Sequence, residues 1–130
     1  DYIPKNNRSE IIKTKKNTLI LDAYNANPSS MKAMIISFSK KKYKNKLCIL
    51  GDMLELGIHS YNEHKKIAKL IKKLNIKVIF IGKEFLKVDQ NAFKSRIYFE
   101  DFLKHNPIKN HTILLKGSRS ISLEKLTKHF

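Results

Sequence analysis

Residues able to position a ligand gather in three short stretches, each directly after an apolar run. In the first, Leu19-Ile20-Leu21 ends in Asp22, and Tyr24, Asn25 and Asn27 follow before Pro28-Ser29-Ser30. In the second, Leu47 to Leu50 opens into Gly51-Asp52-Met53-Leu54-Glu55. In the third, Ile113 to Leu115 leads into Lys116-Gly117-Ser118-Arg119-Ser120. Asn amides pair with polar groups of a ligand, and a Tyr ring forms a wall. Lys116, Ser118, Arg119 and Ser120 offer two cations and two hydroxyls, a suitable nest for an anion.

Each of these residues also has a plainer role available. Asp22 can cap the helix that follows it, as strand-end carboxylates do. Gly51 permits a tight strand exit and Asp52 can begin a cap, while Asp52 or Glu55 could equally attract an ammonium group. Arg119 can pair with Glu124 across a first helical turn. His64 can pack and hydrogen-bond on a helix or act as a base. His59 and His64 are five apart, off the i, i+4 face of paired helical metal ligands, so no metal site is expected.

The elements that must hold these loops alternate between strand and helix. SEIIKT (9–14), a Lys15-Lys16-Asn17 turn and TLILDAY (18–24) predict a hairpin with an edge arm and a central arm. Pro28-Ser29-Ser30 predicts a helix start, with Met31, Met34, Ile35 and Phe38 at helical spacing behind it. KLCIL (46–50) is the next strand. Ile67, Leu70, Ile71 and Leu74 mark a second amphipathic helix running to Asn75. KVIFIG (77–82) is a third buried strand. SRIYF (95–99) and TILLKG (112–117) read as two more, separated by a short helical EDFLKHN (100–106), and SLEKLTKHF (122–130) reads as a closing helix. Buried strands alternating with helices predict a Rossmann-like α/β domain: a mostly parallel sheet with an antiparallel edge strand and helices on both faces. In that topology ligands bind at the carboxyl ends of the strands, where all three loops fall.

Composition sets the outer limits. The 130 residues suffice for one domain with its own core. No apolar run approaches the roughly 20 residues of a membrane span, and no leader-like segment opens the sequence, so a cytoplasmic location is expected. The single Cys48, inside KLCIL, reads as a core residue. The net charge of +16 admits a basic nucleic-acid-binding module as an alternative. Against that, only Arg8, Arg96 and Arg119 are arginines among 27 basic residues, and the lysines are dispersed without interleaved aromatics. A dinucleotide-binding oxidoreductase is disfavoured because no G-x-G-x-x-G is present.

YIPKNNRSE (2–10), LDAYNANPSSM (21–31), LGDMLELG (50–57) with His64, and LLKGSRS (114–120) with Leu123-Glu124 closely resemble, in this order, the carboxyl-terminal domain of the Mur ligases. YNANP and KGSRS resemble the branch of that family that adds D-alanyl-D-alanine. The resemblance implies one domain, residues 1–130, of an enzyme whose amino-terminal UDP-binding and central ATPase domains lie outside this sequence. It places Asp1 near an interdomain junction. No G-x-x-x-x-G-K-[ST] occurs here. The implied reaction is ATP-dependent joining of D-alanyl-D-alanine to UDP-N-acetylmuramoyl-tripeptide through an acyl phosphate, in peptidoglycan precursor synthesis. ATP and Mg2+ would be held mainly by the central domain, and this domain alone would be inactive. By the same resemblance Arg8 reaches ATP phosphate and Asp22 helps position the nucleotide, with Tyr24 and Asn25 lining that side. Asn27, Asp52, Lys116, Ser118, Arg119 and Ser120 would face the substrates, with Arg119 as anchor for the dipeptide carboxylate. Relatives often carry two acidic residues where this chain has Leu21-Asp22, so only the role of Asp22 is carried over from that pair.

Overall fold

The computed structural model describes residues 9–130. Arg8, together with most of the YIPKNNRSE stretch, lies outside the described residues. Among the described residues, five strands form one sheet: β1 (Glu10–Lys13), β2 (Thr18–Asp22), β3 (Lys46–Gly51), β4 (Lys77–Ile81) and β5 (Thr112–Lys116). Their order is β1-β2-β5-β3-β4. β1 pairs antiparallel with β2, and the β2–β5, β5–β3 and β3–β4 pairs are parallel. The expected mostly parallel sheet with one antiparallel edge strand is therefore present. Ile11 on β1 is 65% exposed, as an edge position allows, whereas every residue of β5 is buried.

Side chains alternate between two cores, as a period of two requires. Ile20, Cys48, Leu50, Phe80 and Leu114 point to one face, where they meet Met31, Ile35 and Phe38 of α1 (Pro28–Lys40) and Ile67 and Ile71 of α2 (Ser60–Leu74). Leu19, Leu47, Ile49, Ile81, Ile113 and Leu115 point to the other. There they meet Phe99 and Leu103 of α4 (Arg96–His105), and Leu123, Leu126 and Phe130 at the carboxyl terminus. Helices thus cover both faces. α2 ends as expected at Asn75, whose left-handed conformation (φ 57°) closes the helix.

Three local readings need correction. SRIYF (95–99) is not a strand: Ser95 is extended at the N-cap position and Arg96 begins α4. Phe99 and Leu103 are buried one turn apart while Ile97 and Tyr98 are exposed, and Arg96 pairs with Glu100 at i, i+4. A strand would have put Ile97 and Phe99 on the same face; the helix separates them. The terminal SLEKLTKHF is helical but wound as a seven-residue 3₁₀ helix, Leu123–His129, which Ser122 opens from a left-handed conformation (φ 58°). A short helix, α3 (Lys83–Leu86), follows β4 where none was expected.

Candidate functional site

The three loops meet at the carboxyl edge of the parallel strands. β2 ends in Asp22, and Tyr24 and Asn25 then turn outward, with Tyr24 47% exposed. Asn27 is the N-cap of α1. Its Oδ1 accepts from the Ser30 N–H at 2.9 Å and the Ser29 hydroxyl at 3.1 Å, and the Asn27 N–H donates back to Ser30 Oγ at 3.2 Å. The N-cap of α1 is therefore Asn27, one residue before the Pro28 helix start. Its side-chain oxygen is committed to the helix.

Lys116 departs from the anion-nest reading. It ends β5 directly opposite Asp22, on the core side, and is 2% exposed. Its Nζ donates to Asp22 Oδ2 at 2.8 Å and to the Asn25 carbonyl at 3.1 Å. A charge taken out of water needs such partners, and with them Lys116 fastens the YNANP loop to β5 instead of presenting a free cation. Ser118 is also buried: its N–H donates to the Asp52 carbonyl at 3.0 Å, and its hydroxyl lies 3.4 Å from that of Ser120. Of the expected nest, Arg119 and Ser120 are the exposed members.

Arg119 stands with its guanidinium carbon 5.4 Å from the centroid of the Tyr24 ring, a cation–π contact between the first loop and the third. Both line a cleft of ≈ 650 Å³ with Ser9, Glu10, Leu21, Ala23 and Glu124. Glu124 thus shares the cleft with Arg119, whose stacking partner is Tyr24.

Asp52, expected at the acceptor side, turns inward instead. It is 4% exposed, and its two carboxylate oxygens accept from the Glu84 and Phe85 N–H groups, each at 2.9 Å. It caps α3, the short helix that no local pattern announces. Burial raises its carboxyl pKa above the ordinary 3.8, while those two N–H groups pull the other way. Gly82 makes this contact possible. It adopts φ +133°, and a Cβ there would fall 2.2 Å from the Asp52 carboxyl carbon. Glu55 stands exposed in the left-handed region (φ 62°).

His64 is fully buried on α2. Its Nε2 accepts from the Met53 N–H at 3.0 Å and its Nδ1 donates to the Ser60 carbonyl at 2.7 Å. Those two bonds fix the Nδ1–H tautomer and occupy both nitrogens, so His64 holds the GDMLELG loop against α2 rather than serving as a base. Ser60 also donates to Glu84 Oε1 at 2.6 Å, which is the chief reason the Glu84 carboxyl is lowered from its ordinary 4.5.

A second cleft, of ≈ 360 Å³, opens beyond this latch. It is lined by Asp52, Leu54, Gly82, Lys83, Glu84, Lys94, Ser95, Arg96, Ile97, Ser120 and Ile121. A parallel bridge between Ile81 and Phe93 brings Lys94-Ser95-Arg96 alongside Gly82-Lys83. The expected site residues are consequently divided: Tyr24 and Arg119 face the first cleft, Ser120 and Asp52 line the second, and Asp22 and Lys116 pair in the interior. Lys83, Lys94 and Arg96 line this second cleft although no motif marks them. The signal available for Lys83 was its position after β4, a fourth strand exit of the same kind as the three considered.

A family model described as Mur ligase, glutamate ligase domain, matches residues 7–119. The chain is 39% identical over 135 residues to the UDP-N-acetylmuramoyl-tripeptide–D-alanyl-D-alanine ligase of Bacillus subtilis, covering 93% of this chain and 30% of that protein. It is 36% identical over 131 residues to the ligase of the same name from Buchnera aphidicola subsp. Baizongia pistaciae, covering 94% of this chain and 28% of that one. A crystal structure of MurF from Acinetobacter baumannii superposes with a TM-score of 0.77 at 25% identity, over 98% of this chain and 30% of that one. The MurF ligase of Thermotoga maritima in complex with ADP shares the fold at a TM-score of 0.72 and 22% identity, over 92% of this chain and 29% of that one. The chain spans about 30% of the length of the curated relatives it matches.

Proposed function

The chain belongs to the Mur ligase family, and from that premise we propose that it is the carboxyl-terminal domain, residues 1–130, of an ATP-dependent ligase that joins D-alanyl-D-alanine to UDP-N-acetylmuramoyl-tripeptide in cytoplasmic peptidoglycan precursor synthesis. The observation that carries the reading is the junction of its two most distinctive loops. YNANP and KGSRS, far apart in sequence, are joined by the Asp22–Lys116 pair and by Arg119 over Tyr24, and together they wall the larger cleft.

ATP supplies the phosphoryl group that activates the tripeptide carboxylate, and the dipeptide amine then displaces phosphate. Among the described residues no group of three or more His, Cys, Asp or Glu side chains could hold a metal ion. The family resemblance assigns ATP and Mg2+ mainly to the central domain. What this chain contributes is placement and charge. Arg119 presents a cation beside an aromatic wall, where a phosphoryl or carboxylate oxygen is favourably met. Arg8, outside the described residues, is assigned to the ATP phosphates on the family resemblance alone. Asp22 acts by holding Lys116 and through it the Asn25 carbonyl, which fixes Tyr24 and Asn25 on the nucleotide side. Positioning of this kind matters because modest misplacement of reacting groups costs large factors in rate.

The test is a hybrid enzyme in which this chain replaces the matching segment of the Bacillus subtilis ligase. ADP release that requires both D-alanyl-D-alanine and the tripeptide nucleotide is the expected result. A hybrid that folds and binds ATP but releases ADP without regard to D-alanyl-D-alanine argues against the proposal.

A further inference from the structure

We propose that the edge of the sheet opposite the clefts, where the parallel strands begin, docks this domain on an anionic lipid surface. The inference goes beyond the ligase reading and does not depend on it. Among the described residues, four connections meet at that edge, and lysine fills them. They are KKN (15–17) between β1 and β2, KKYKNK (41–46) running into β3, KKLNIK (72–77) from the end of α2 into β4, and IKNH (108–111) before β5. Register sets them side by side, since Thr18 and Lys46 both lie opposite Thr112, and Lys77 lies opposite Leu47. Asparagine knits the turns together. The Asn110 N–H donates to the Lys16 carbonyl at 2.7 Å, and Asn45 Nδ2 donates to the Asn110 carbonyl at 2.7 Å. With strands spaced at roughly 4.8 Å, the lysines form one strip about 20 Å across.

No Asp or Glu falls in any of the four connections. Every lysine in them except Lys46 is exposed, and none makes an ion pair among the described residues. α4 runs toward the same edge, but its carboxylates Glu100 and Asp101 are engaged by Arg96 and Lys104. The Phe130 oxygen is likewise held, by Thr14 Oγ1 at 2.6 Å and Asn17 Nδ2 at 3.0 Å. Helix ends account for part of the lysine: Lys40, Lys72, Lys73 and Lys104 sit in last turns, where a cation meets the negative end of the dipole. The lysines in the turns beyond serve no helix, and they leave the edge strongly positive.

The same geometry selects the kind of anion. α1, α2 and α4 all end here, so the free helical backbone groups are carbonyls, and a phosphate meets ammonium groups but no cradle of helix N–H donors. None of the four connections holds an arginine or any of the exposed large apolar side chains, and the Tyr43 ring packs on Phe38 at 5.5 Å. Without a guanidinium fork or an open ring, the edge lacks the means by which proteins grip nucleic-acid bases. A broad field of lysines suits a surface of many dispersed anionic headgroups. Docked this way, the domain turns both clefts, at the opposite edge, toward solution.

Co-sedimentation of this chain with vesicles tests the surface. The vesicles are phosphatidylcholine alone or equal parts phosphatidylcholine and phosphatidylglycerol, with a short DNA duplex titrated in parallel at the same salt. Binding is expected to the mixed vesicles and to be largely lost as salt is raised, because exposed charges are screened. Lys41→Gln/Lys42→Gln should weaken it at least tenfold, at about fivefold for each lysine beside an anionic leaflet. Lys32→Gln/Lys65→Gln removes the same charge from the cleft-side halves of α1 and α2 and should weaken it less than about threefold, since the attraction fades within a Debye length. Equal weakening by the two pairs would mean that net charge alone is at work, and overturns the site. Binding to phosphatidylcholine alone, or no binding to the mixed vesicles, overturns it as well. Tighter binding to the duplex than to the vesicles would make the edge a nucleic-acid surface and overturn the lipid assignment. The ligase proposal is judged separately, by the hybrid enzyme.

Discussion

Asp22 and Lys116 end neighbouring parallel strands in register, and the Lys116 ammonium lies 2.8 Å from the Asp22 carboxylate with almost no access to water. Removing one partner leaves the other charge buried and unpaired. Lys116→Met should therefore destabilise the domain by about 3 kcal/mol, and the double variant Asp22→Asn/Lys116→Met should recover much of that loss. Urea unfolding of the two variants measures both values. Equal destabilisation by the single and double changes would mean the pair is not the source.

Asp52 and Glu84 should tilt the acid limb of stability in opposite directions. Burial holds the Asp52 carboxyl above its ordinary 3.8, so the folded state keeps that proton longer than the unfolded chain, and stability falls as pH rises from 3.8 through the folded pKa. Glu84 is displaced below 4.5, first by the Ser60 hydroxyl, so its contribution is present above 4.5 and is lost as pH falls through its folded value. Asp52→Asn should then make the loss of stability on acidification steeper, and Glu84→Gln should make it shallower. Urea midpoints measured across the acid range check the two slopes, and the reverse order would refute the assignment.

Gly82→Ala should be among the most damaging single changes in the chain. The new methyl meets the Asp52 carboxylate at 2.2–2.3 Å, in a backbone conformation (φ +133°) that L side chains rarely adopt. A loss of about 2–4 kcal/mol is expected. The readout is thermal unfolding, with loss of slow-exchanging amides at Glu84 and Phe85 as the local signature.

Cys48 should resist thiol reagents for as long as the domain is folded. Its side chain is fully buried, and burial pushes its pKa up to about 12, so little thiolate forms. Alkylation in mildly alkaline buffer should proceed only after denaturant is added. Rapid native-state labelling would show that β3 opens locally.

Arg119→Ala should separate function from stability. The Arg119–Tyr24 contact is exposed and accounts for less than about 1 kcal/mol of folding stability. In the hybrid ligase the same change should lower the rate of ADP release at least about tenfold, the scale of a lost charge-assisted contact to a reacting group. Unfolding and turnover measured on one preparation distinguish the two effects.

Much of this architecture is legible in the sequence because it is local. The apolar runs of β2 to β5, the Pro28 helix start and the Asn75 stop each signal through neighbouring residues. SRIYF misleads because Ile97, Tyr98 and Phe99 favour strands individually, while the pairs that make α4 a helix, Phe99 with Leu103 and Arg96 with Glu100, fall partly beyond the stretch. The site is less legible because its decisive contacts are distant in the chain. That Lys116 faces the core follows from its alternation with Leu114, but that this position is tolerable depends on Asp22, 94 residues away. Asp52 likewise looks like an outward acid until α3 arrives with N–H groups for it, and no local pattern announces a four-residue helix.

Gly51 and Gly117, at the ends of adjacent strands, approach so closely that a Cβ on Gly117 would stand 2.8 Å from the Gly51 Cα. The backbone seam they form continues into a turn on which Arg119 lines one cleft and the very next residue, Ser120, lines the other. The turn is therefore a party wall: its two sides belong to different rooms, yet neither side can be shifted alone. Substitutions on opposite sides of it should fail to add, and a designer who wants to retune one room must transplant the wall and its glycine footing as a unit.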